Sequence, residues 1–233
     1  MVDGGVDLVE VGLPYSDPVI DGPTIQAAAD VALRNGTRTT DVLRTVEAVA
    51  SAGAPVVVMT YWNPVLRYGV AAFARDLAAA GGSGLITPDL IPDEAEEWIA
   101  VAEDVGLDRV FLVAPSSTDA RLAATVEACR GWVYAASTMG VTGTREQTSS
   151  AAPGLVARVR AATSLPVTVG LGVSNAAQAA EVAAYADGIA VGSAFVRRIL
   201  DAPDDATGAA SVRELAADLT SALASAPASS SRS

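Results

Sequence analysis

The feature that most constrains this chain is a regular alternation of short apolar runs with longer alanine-rich segments of helical spacing. Because most of the runs are continuously apolar, they predict strands buried on both faces, as in parallel sheets. Several intervening segments begin with Ser, Thr or Asp and end with Gly, which is typical of capped helices. The predicted strands lie at residues 6–12, 55–61, 84–90, 109–115, 132–137, 166–172 and 188–193.

Strict alternation of strands and helices favours an all-parallel sheet, either doubly wound or closed into a (β/α)8 barrel. The length of 233 residues suits one such domain, which we expect over residues 1–225. The small polar segment 226–233 is expected to be a disordered tail. Seven strands are one short of a barrel, and MVDGGVDL is typical of a last helical turn before a strand. We therefore predict a TIM (β/α)8 barrel with seven βα units present and with the first strand and most of the first helix missing.

Charge and hydropathy exclude several classes of partner. The formal net charge of -12 argues against nucleic acid, whose binding depends on clustered basic side chains. No apolar run approaches the ~18 residues needed to span a bilayer, so we predict no membrane interaction and a cytoplasmic location. The single cysteine, Cys129, has no intrachain disulfide partner and is expected to be a buried structural thiol.

Two residue types are absent from the chain, and their absence restricts its chemistry. All 15 basic residues are arginine, which excludes a Schiff-base lysine and a P-loop lysine. No histidine is present either, which excludes Ser-His and Cys-His nucleophile pairs and histidine-based zinc sites. We predict no metal site, and we expect any catalysis to depend on carboxylates, hydroxyls and backbone dipoles.

An acidic residue, Glu10, interrupts the first apolar run near the end of its predicted strand. In a parallel barrel the carboxyl ends of the strands and the loops after them form the active-site face. Asp21, in the loop after Glu10, is placed to reach over that face. The two carboxylates form a candidate acid/base pair, because burial raises the pKa of one and a solvated loop leaves that of the other low. The alternatives are a Glu10 side chain paired with arginine and an ordinary turn at Asp21-Gly22.

Glycine-rich segments follow three consecutive strands. Backbone amides and helix N-termini in such segments bind phosphate without lysine, and the last two loops of a complete barrel are its recurrent phosphate site. Tight turns are the alternative reading, and the glycines do not complete a dinucleotide fingerprint. The segments are STMGVTGTR (137–145), VGLGVSN (169–175) and VGSAFVR (191–197).

Four polar or aromatic residues near strand ends complete the candidates. Tyr134 and Trp132 lie in one strand, and we expect one of them to face the barrel interior and the other the helices. Tyr134 is either a hydroxyl donor or a core residue. Tyr61 and Asn63 are candidates to line the pocket.

Several segments together resemble the tryptophan synthase alpha subunit family. The first is the most specific, and the glycine motifs occur in many phosphate-binding barrels. The resemblance implies a TIM barrel that cleaves indole-3-glycerol phosphate to indole and glyceraldehyde 3-phosphate by a retro-aldol reaction, without a cofactor of its own. The segments are VEVGLPYSDPVIDGPTIQ (9–26), VMTYWNPV (58–65), TPDLIPDEA (87–95), FLVAPSST (111–118), YAASTMGVTG (134–143), VGLGVS (169–174) and GIAVGSA (188–194).

The resemblance also implies residue roles. Glu10 matches the acid/base glutamate that protonates indole C3 and helps remove the glycerol hydroxyl proton, and Asp21 matches the aspartate that stabilises charge at the indole nitrogen. Tyr134 matches a tyrosine near the reacting glycerol carbon, and Thr142 matches a residue that positions a mobile lid. The residues that match the phosphate site are Gly143, Gly172, Gly192 and Ser193.

The same resemblance implies a partner, the beta subunit of tryptophan synthase, in an α2β2 assembly. Pyridoxal phosphate would belong to that subunit, because this chain has no lysine to hold it. The expected contact and lid elements are the loops at 14–24 and 138–152. The alternatives are a stand-alone indole-releasing lyase, a truncated non-catalytic subunit and another phosphate-binding barrel such as a sugar-phosphate epimerase.

Overall fold

A computed structural model describes residues 1–136, 151–170 and 172–225. Within these ranges, seven parallel strands form one curled sheet in the order of the sequence. The seven predicted strands are thus confirmed, each shorter than its apolar run. Sequential order excludes a doubly wound sheet, whose strand order reverses. The strands are β1 (Val9–Gly12), β2 (Val56–Met59), β3 (Gly84–Thr87), β4 (Asp108–Val113), β5 (Val133–Ala136), β6 (Val167–Gly170) and β7 (Gly188–Ala190).

Helices lie between consecutive strands, as the alternation predicts. Short 3-10 turns cover Val2–Gly4, where the sequence indicated a last helical turn, and Pro92–Glu94. The α-helices in the described ranges are α1 (Pro23–Arg34), α2 (Thr39–Ser51), α3 (Trp62–Tyr68), α4 (Val70–Ala79), α5 (Glu96–Val105), α6 (Asp119–Ala128), α7 (Ala152–Ala162), α8 (Ala176–Ala183), α9 (Ser193–Leu200) and α10 (Asp205–Ser225).

The side chains of each strand divide between two apolar clusters, because successive residues of a strand point to opposite faces. The outer cluster lies between the sheet and the helices and includes Val58, Leu85 and Phe111. The inner cluster is centred on Val57, Ile86 and Val110, which alternate with the outer residues along the same strands. Both faces of the sheet are therefore apolar, which explains the unbroken apolar runs. The outer cluster includes residues from 13 to 219, and the division of the chain into one domain and a tail stays a prediction.

Trp132 and Tyr134 both pack against the inner cluster. The expectation that only one of them faces the barrel interior is therefore wrong. Residues two apart on a strand point the same way, so the two aromatic side chains share a face. Cys129, by contrast, is buried as predicted, with its thiol 3.9 Å from the carbonyl oxygen of Phe111.

Helices pack together where β1 and β7 form the two ends of the sheet. Helix α1 contacts α9, and α10 contacts the first 3-10 turn. Thr220 Oγ1 on α10 lies 3.1 Å from the carbonyl oxygen of Gly4, and Arg213 pairs with Asp3 at 3.2 Å. Within the described ranges, no helix is both long and apolar enough to cross a bilayer.

The contact between the first turn and α10 depends on the absence of a side chain at Gly4. A Cβ there would lie 2.5 Å from Ala216 Cβ and 2.8 Å from the carbonyl oxygen of Arg213. We expect Gly4→Ala to lower the free energy of unfolding by about 1–3 kcal/mol, as overpacking typically does. Urea denaturation measures the change.

The matched control is Gly154→Ala in α7, where a Cβ would meet no atom within 4 Å. We expect this variant to be more stable than the parent by about 0.5–1 kcal/mol, because alanine loses less backbone entropy in a helix. Equal stability of the two variants would contradict the packing described at Gly4.

Candidate active site

A cavity of about 1220 Å³ extends through the inner face of the sheet to the carboxyl ends of the strands. Its wall includes most of the residues that the sequence singled out. It brings together Glu10, Asp21, Tyr61, Tyr134, Gly172, Gly192 and Ser193. Thr142 and Gly143 lie outside the described residues, as do most of the loop 138–152 and the segment 226–233.

Glu10 lies on β1, directly beside Val57 of β2 in the parallel register. Leu8, directly before β1, packs against the inner apolar cluster. Burial among these side chains disfavours the charged form and raises the pKa of Glu10 to about 7. The predicted rise in the pKa of Glu10 thus has its expected cause, desolvation. Near neutral pH, this side chain can both give up and accept a proton.

Tyr134 lies on β5, between Leu112 of β4 and Thr168 of β6. Burial is the main cause that raises the pKa of its hydroxyl, and the negative charge of Glu10 raises it further. The hydroxyl therefore stays neutral and can donate a hydrogen bond. Its ring occupies the space that a side chain at Gly170 of β6 would need, since a Cβ there would overlap the phenol.

Asp21 lies in the loop between β1 and α1 and reaches the same cavity. Burial raises the pKa of its carboxyl, and a hydrogen bond with the Tyr61 side chain lowers it by a smaller amount. The expectation that a solvated loop leaves this pKa low is therefore wrong. The loop is partly buried at Ile20 and Asp21, where its backbone contacts the Tyr61 hydroxyl just after β2.

Tyr61 follows β2 and is almost fully buried, with 4% of its surface exposed. Its hydroxyl oxygen accepts hydrogen bonds from the backbone N–H groups of Val19 (3.1 Å) and Ile20 (3.0 Å). Its ring packs against Tyr15, with centroids 5.3 Å apart. Tyr61 lines the cavity as predicted, and it also fixes the loop that holds Asp21.

Tyr15, which is not among the sequence-predicted site residues, also lines the cavity. Asn63 is exposed and is not part of the cavity wall, in contrast to its predicted position. Its amide instead donates to the Tyr15 hydroxyl at 3.2 Å. The Asp89 carboxylate accepts the backbone N–H of Trp62 at 2.9 Å, which fixes the start of α3. The available signal for Tyr15 was an aromatic residue three positions after the strand that carries Glu10.

The opposite side of the cavity contains the glycine-rich strand ends. Gly172, after β6, has a positive φ of 69°, a conformation that favours glycine. Gly192 is the N-cap of α9, and a Cβ there would meet no atom within 4 Å. Ser193 is the first residue of α9 and is 7% exposed. Free backbone N–H groups at the start of a helix, together with a hydroxyl, can bind an anion.

No metal-binding group forms among residues 1–136, 151–170 and 172–225, where no three Cys, Asp or Glu side chains come together. The groups that do come together are suited to proton transfer. A carboxyl group with a pKa near neutrality lies in one apolar cavity with a second carboxyl group and a neutral phenol. Such a set can protonate an apolar substrate and remove a proton from it.

Comparison with known proteins gives a consistent set of relatives. The family model described as Tryptophan synthase alpha chain matches residues 1–224. The tryptophan synthase alpha chain of Acidothermus cellulolyticus is 66% identical over 228 residues, which are 98% of this chain and 85% of the relative. That of Mycobacterium tuberculosis is 66% identical over 201 residues, 86% of this chain and 74% of the relative.

Solved structures agree with the sequence relatives. The structure of Mycobacterium tuberculosis tryptophan synthase superposes with a TM-score of 0.89 at 61% identity, covering 95% of this chain and 83% of that chain. Tryptophan synthase subunit alpha from Legionella pneumophila superposes with a TM-score of 0.85 at 30% identity, covering 96% and 84%. These relatives are TIM barrels, which confirms the predicted fold class.

The raised pKa of Glu10 has a consequence for stability. Between pH 4.5, the ordinary pKa of a glutamate, and about 7, the folded chain binds more protons at this site than the unfolded chain. Stability therefore falls as pH rises through this window. Glu10→Gln cannot titrate, so its stability relative to the parent should increase from pH 4.5 to 7 and then level off.

The size of this relative gain is at most about 3 kcal/mol, because one pKa unit corresponds to about 1.4 kcal/mol. Contact of Glu10 with solvent in the cavity makes the gain smaller than this limit. Urea denaturation at several pH values measures the gain, with Glu47→Gln on the exposed side of α2 as the control. A stability difference for Glu10→Gln that does not vary with pH would contradict the buried, raised state of Glu10.

Proposed function

The chain belongs to the tryptophan synthase alpha chain family, and from that premise we propose that Glu10, Asp21 and Tyr134 perform the reaction of the family. The chain is a lyase of tryptophan biosynthesis. It cleaves indole-3-glycerol phosphate to indole and glyceraldehyde 3-phosphate. The observation that most supports the residue assignment is the position of Glu10, buried on the inner face of the sheet with a pKa near neutrality and in one cavity with the other two.

The reaction requires two proton transfers and the cleavage of one carbon–carbon bond. Indole C3 gains a proton, and the adjacent glycerol hydroxyl loses one. The electron pair of the bond between C3 and the glycerol carbon then returns to the indole ring, while the hydroxyl carbon becomes the aldehyde. Protons gained and lost balance, so the step needs neither an oxidant nor a reductant.

Glu10 is the proposed donor to C3 and then the acceptor of the hydroxyl proton. A pKa of about 7 means that the protonated form is well populated when substrate binds. Once the proton has moved, the resulting carboxylate is basic enough to take the next one. Apolar neighbours such as Val57 supply this property, because they desolvate the carboxyl group without pairing it.

Asp21 and Tyr134 are proposed to stabilise the two halves of the substrate. Positive charge develops at the indole nitrogen when C3 is protonated, and an ionised Asp21 stabilises it. The Tyr61 hydroxyl supports this ionised state, since its hydrogen bond lowers the pKa that burial raises. Tyr134, which stays neutral, is proposed to donate to the glycerol oxygen as the bond breaks.

The phosphate group of the substrate is proposed to bind at the start of α9. Gly192 leaves open space in front of the helix, and Ser193 supplies a hydroxyl beside the free backbone N–H groups. Gly172 brings the loop after β6 close to the same end of the cavity. Gly143 is proposed to contribute from the preceding loop, and Thr142 to position a lid there. This arrangement needs no lysine, which agrees with the composition.

We further propose that the chain holds no cofactor and works with a tryptophan synthase beta subunit in an α2β2 assembly. Pyridoxal phosphate would belong to that partner. High identity to a chain of Mycobacterium tuberculosis tryptophan synthase supports the partner. The mouth loop 14–24, in which Val19 is 73% exposed, is the proposed contact element. Membership of a biosynthetic enzyme family supports the cytoplasmic location predicted from the sequence.

The direct test is indole release from indole-3-glycerol phosphate by the parent chain and two variants. We expect Glu10→Gln to abolish turnover and to leave phosphate-ligand binding largely intact, because the shape of the site is preserved. Asp21→Asn should lower kcat by about 10²-fold or more, as loss of a positioned electrostatic group does. Steady-state kinetics measures both, with and without a beta subunit.

Glu47→Gln on α2 and Asp30→Asn on α1 are the matched controls, because both side chains are exposed on outer helices. Turnover retained by Glu10→Gln would refute the assignment. Activity that does not rise with a beta subunit would identify a stand-alone lyase. Binding of pentose phosphates in preference to indole-propanol phosphate would identify a different phosphate-binding barrel.

Ser193→Ala separates the phosphate site from the reacting groups. We expect its KM for indole-3-glycerol phosphate to rise by about 10-fold or more with little change in kcat, since a hydrogen bond to a charged group is lost without involving the reacting bond. Steady-state kinetics gives both constants. Ser221→Ala, on the exposed side of α10, is the control. An unchanged KM would place the phosphate elsewhere.

A further inference from the structure

We propose that Tyr61 is a positioning residue, which aims the Asp21 carboxylate into the active-site cavity through its hydroxyl group. The proposal rests on the proposed function, in which Asp21 stabilises charge at the indole nitrogen. It adds a residue that lies 40 positions away in the sequence and that does not itself need to touch the reacting atoms.

The position of Tyr61 is fixed from several sides. Its backbone is the N-cap of α3, directly after β2. The next residue, Trp62, donates its backbone N–H to the Asp89 carboxylate at 2.9 Å, which holds the start of the helix. The Tyr61 ring is 4% exposed and packs on Tyr15. The Tyr61 side chain therefore starts from the end of β2 and the beginning of α3, outside the loop that its hydroxyl group contacts.

The hydrogen-bonding capacity of a tyrosine hydroxyl fixes the direction of its proton. Such a group accepts two hydrogen bonds and donates one. The backbone N–H groups of Val19 and Ile20 donate to the oxygen at 3.1 and 3.0 Å. Since the oxygen accepts from two consecutive amides, its single proton is available to the side chain of the next residue, Asp21. A hydrogen bond with Tyr61 is accordingly among the causes that shift the pKa of the Asp21 carboxyl, and it lowers that pKa.

The loop gains little support from its own side chains at this point. Val19 is 73% exposed, so its burial contributes little to fixing the backbone. The side-chain amide of Gln26 donates to the backbone carbonyl of Asp21 at 2.6 Å, which leaves the carboxylate itself unrestrained. Tyr61 thus links the backbone of the loop and the Asp21 carboxylate to the end of β2 through one oxygen atom.

The charged and titratable groups around Asp21 come from several elements of the described chain. Those that line the same cavity include Tyr61 after β2, Glu10 on β1 and Tyr15 on the same loop. At the start of α1, the helix that follows the loop, Arg197 of α9 donates to Thr24 at 2.5 Å. Among the causes that shift the pKa of Asp21, burial is the largest and raises it, whereas the Tyr61 hydrogen bond lowers it. Removal of the hydroxyl should therefore raise the pKa of Asp21.

Tyr61→Phe tests the proposal, because it removes one oxygen atom and keeps the buried ring. We expect kcat/KM to fall about 10- to 100-fold, as for loss of a hydrogen bond to a charged group. We also expect the acidic limb of the pH profile of kcat to move to higher pH, since Asp21 then ionises later. Tyr68→Phe is the matched control, because its hydroxyl donates to Asp76 at the far end of α3.

A double-mutant cycle shows whether Tyr61 acts through Asp21. In the Asp21→Asn background, Tyr61→Phe should lower kcat/KM much less than it does in the parent, because the Asp21 carboxylate is already absent. An equal fall in kcat/KM in both backgrounds, or an unshifted pH profile of kcat in Tyr61→Phe, would overturn the proposal. A purely structural role would lower the thermal midpoint without moving the profile.

Carbon-13 NMR titration of Asp21 in the unliganded chain gives a readout that does not require activity. A higher pKa of Asp21 in Tyr61→Phe than in the parent and in Tyr68→Phe supports the proposal, and an unchanged pKa overturns it. If the parent chain releases no indole in a Glu10-dependent way, the proposed function fails. In that case the NMR titration still shows whether the Tyr61 hydroxyl lowers the pKa of Asp21.

Discussion

A carboxylic acid surrounded by apolar side chains is the constraint on which this site depends. Glu10 reaches a pKa of about 7 only because the neighbouring strands present residues such as Val57 on the same face. The parallel register sets these neighbours, and the period of two residues keeps them inside the barrel. The outer face of the same strands packs on the helices. The packing that stabilises the sheet thus also raises the pKa of Glu10.

Much of the fold could be predicted because parallel strands buried on both faces leave a continuous apolar signal. Glu10 was recognisable for the same reason, as an acid within such a run. The strand boundaries were less predictable. Tyr61 and Leu90 are almost fully buried and lie beyond the ends of their strands. Hydrophobicity indicates that a residue is buried and not that it is paired with a neighbouring strand, so the apolar runs continue beyond the ends of the strands.

The details of the site depend on contacts between residues far apart in the sequence. The hydrogen bonds from Val19 and Ile20 to Tyr61 cross about 40 residues, and no local pattern indicates them. The raised pKa of Asp21 follows from the way the loop folds over β2, and an aspartate in a turn gives no sign of this. The shared face of Trp132 and Tyr134, by contrast, was predictable from strand geometry, because residues two apart on a strand point the same way, and the expectation of opposite faces overlooked this period. The exposure of Asn63 depends on how α3 begins, which Asp89 decides from the next loop.

The docking of the first turn on α10 has a consequence for synthesis on the ribosome. Gly4 receives its contact from Thr220, 216 positions later in the chain. At a translation rate of about 5–20 residues per second, the N-terminal turn waits on the order of 10–40 s for its partner. During that interval the inner face of β1 lacks part of its surroundings, because Ala216 and Leu219 also line the cavity. The first turn and part of the cavity wall of the nascent chain thus stay exposed to solvent until the last helix has been synthesised.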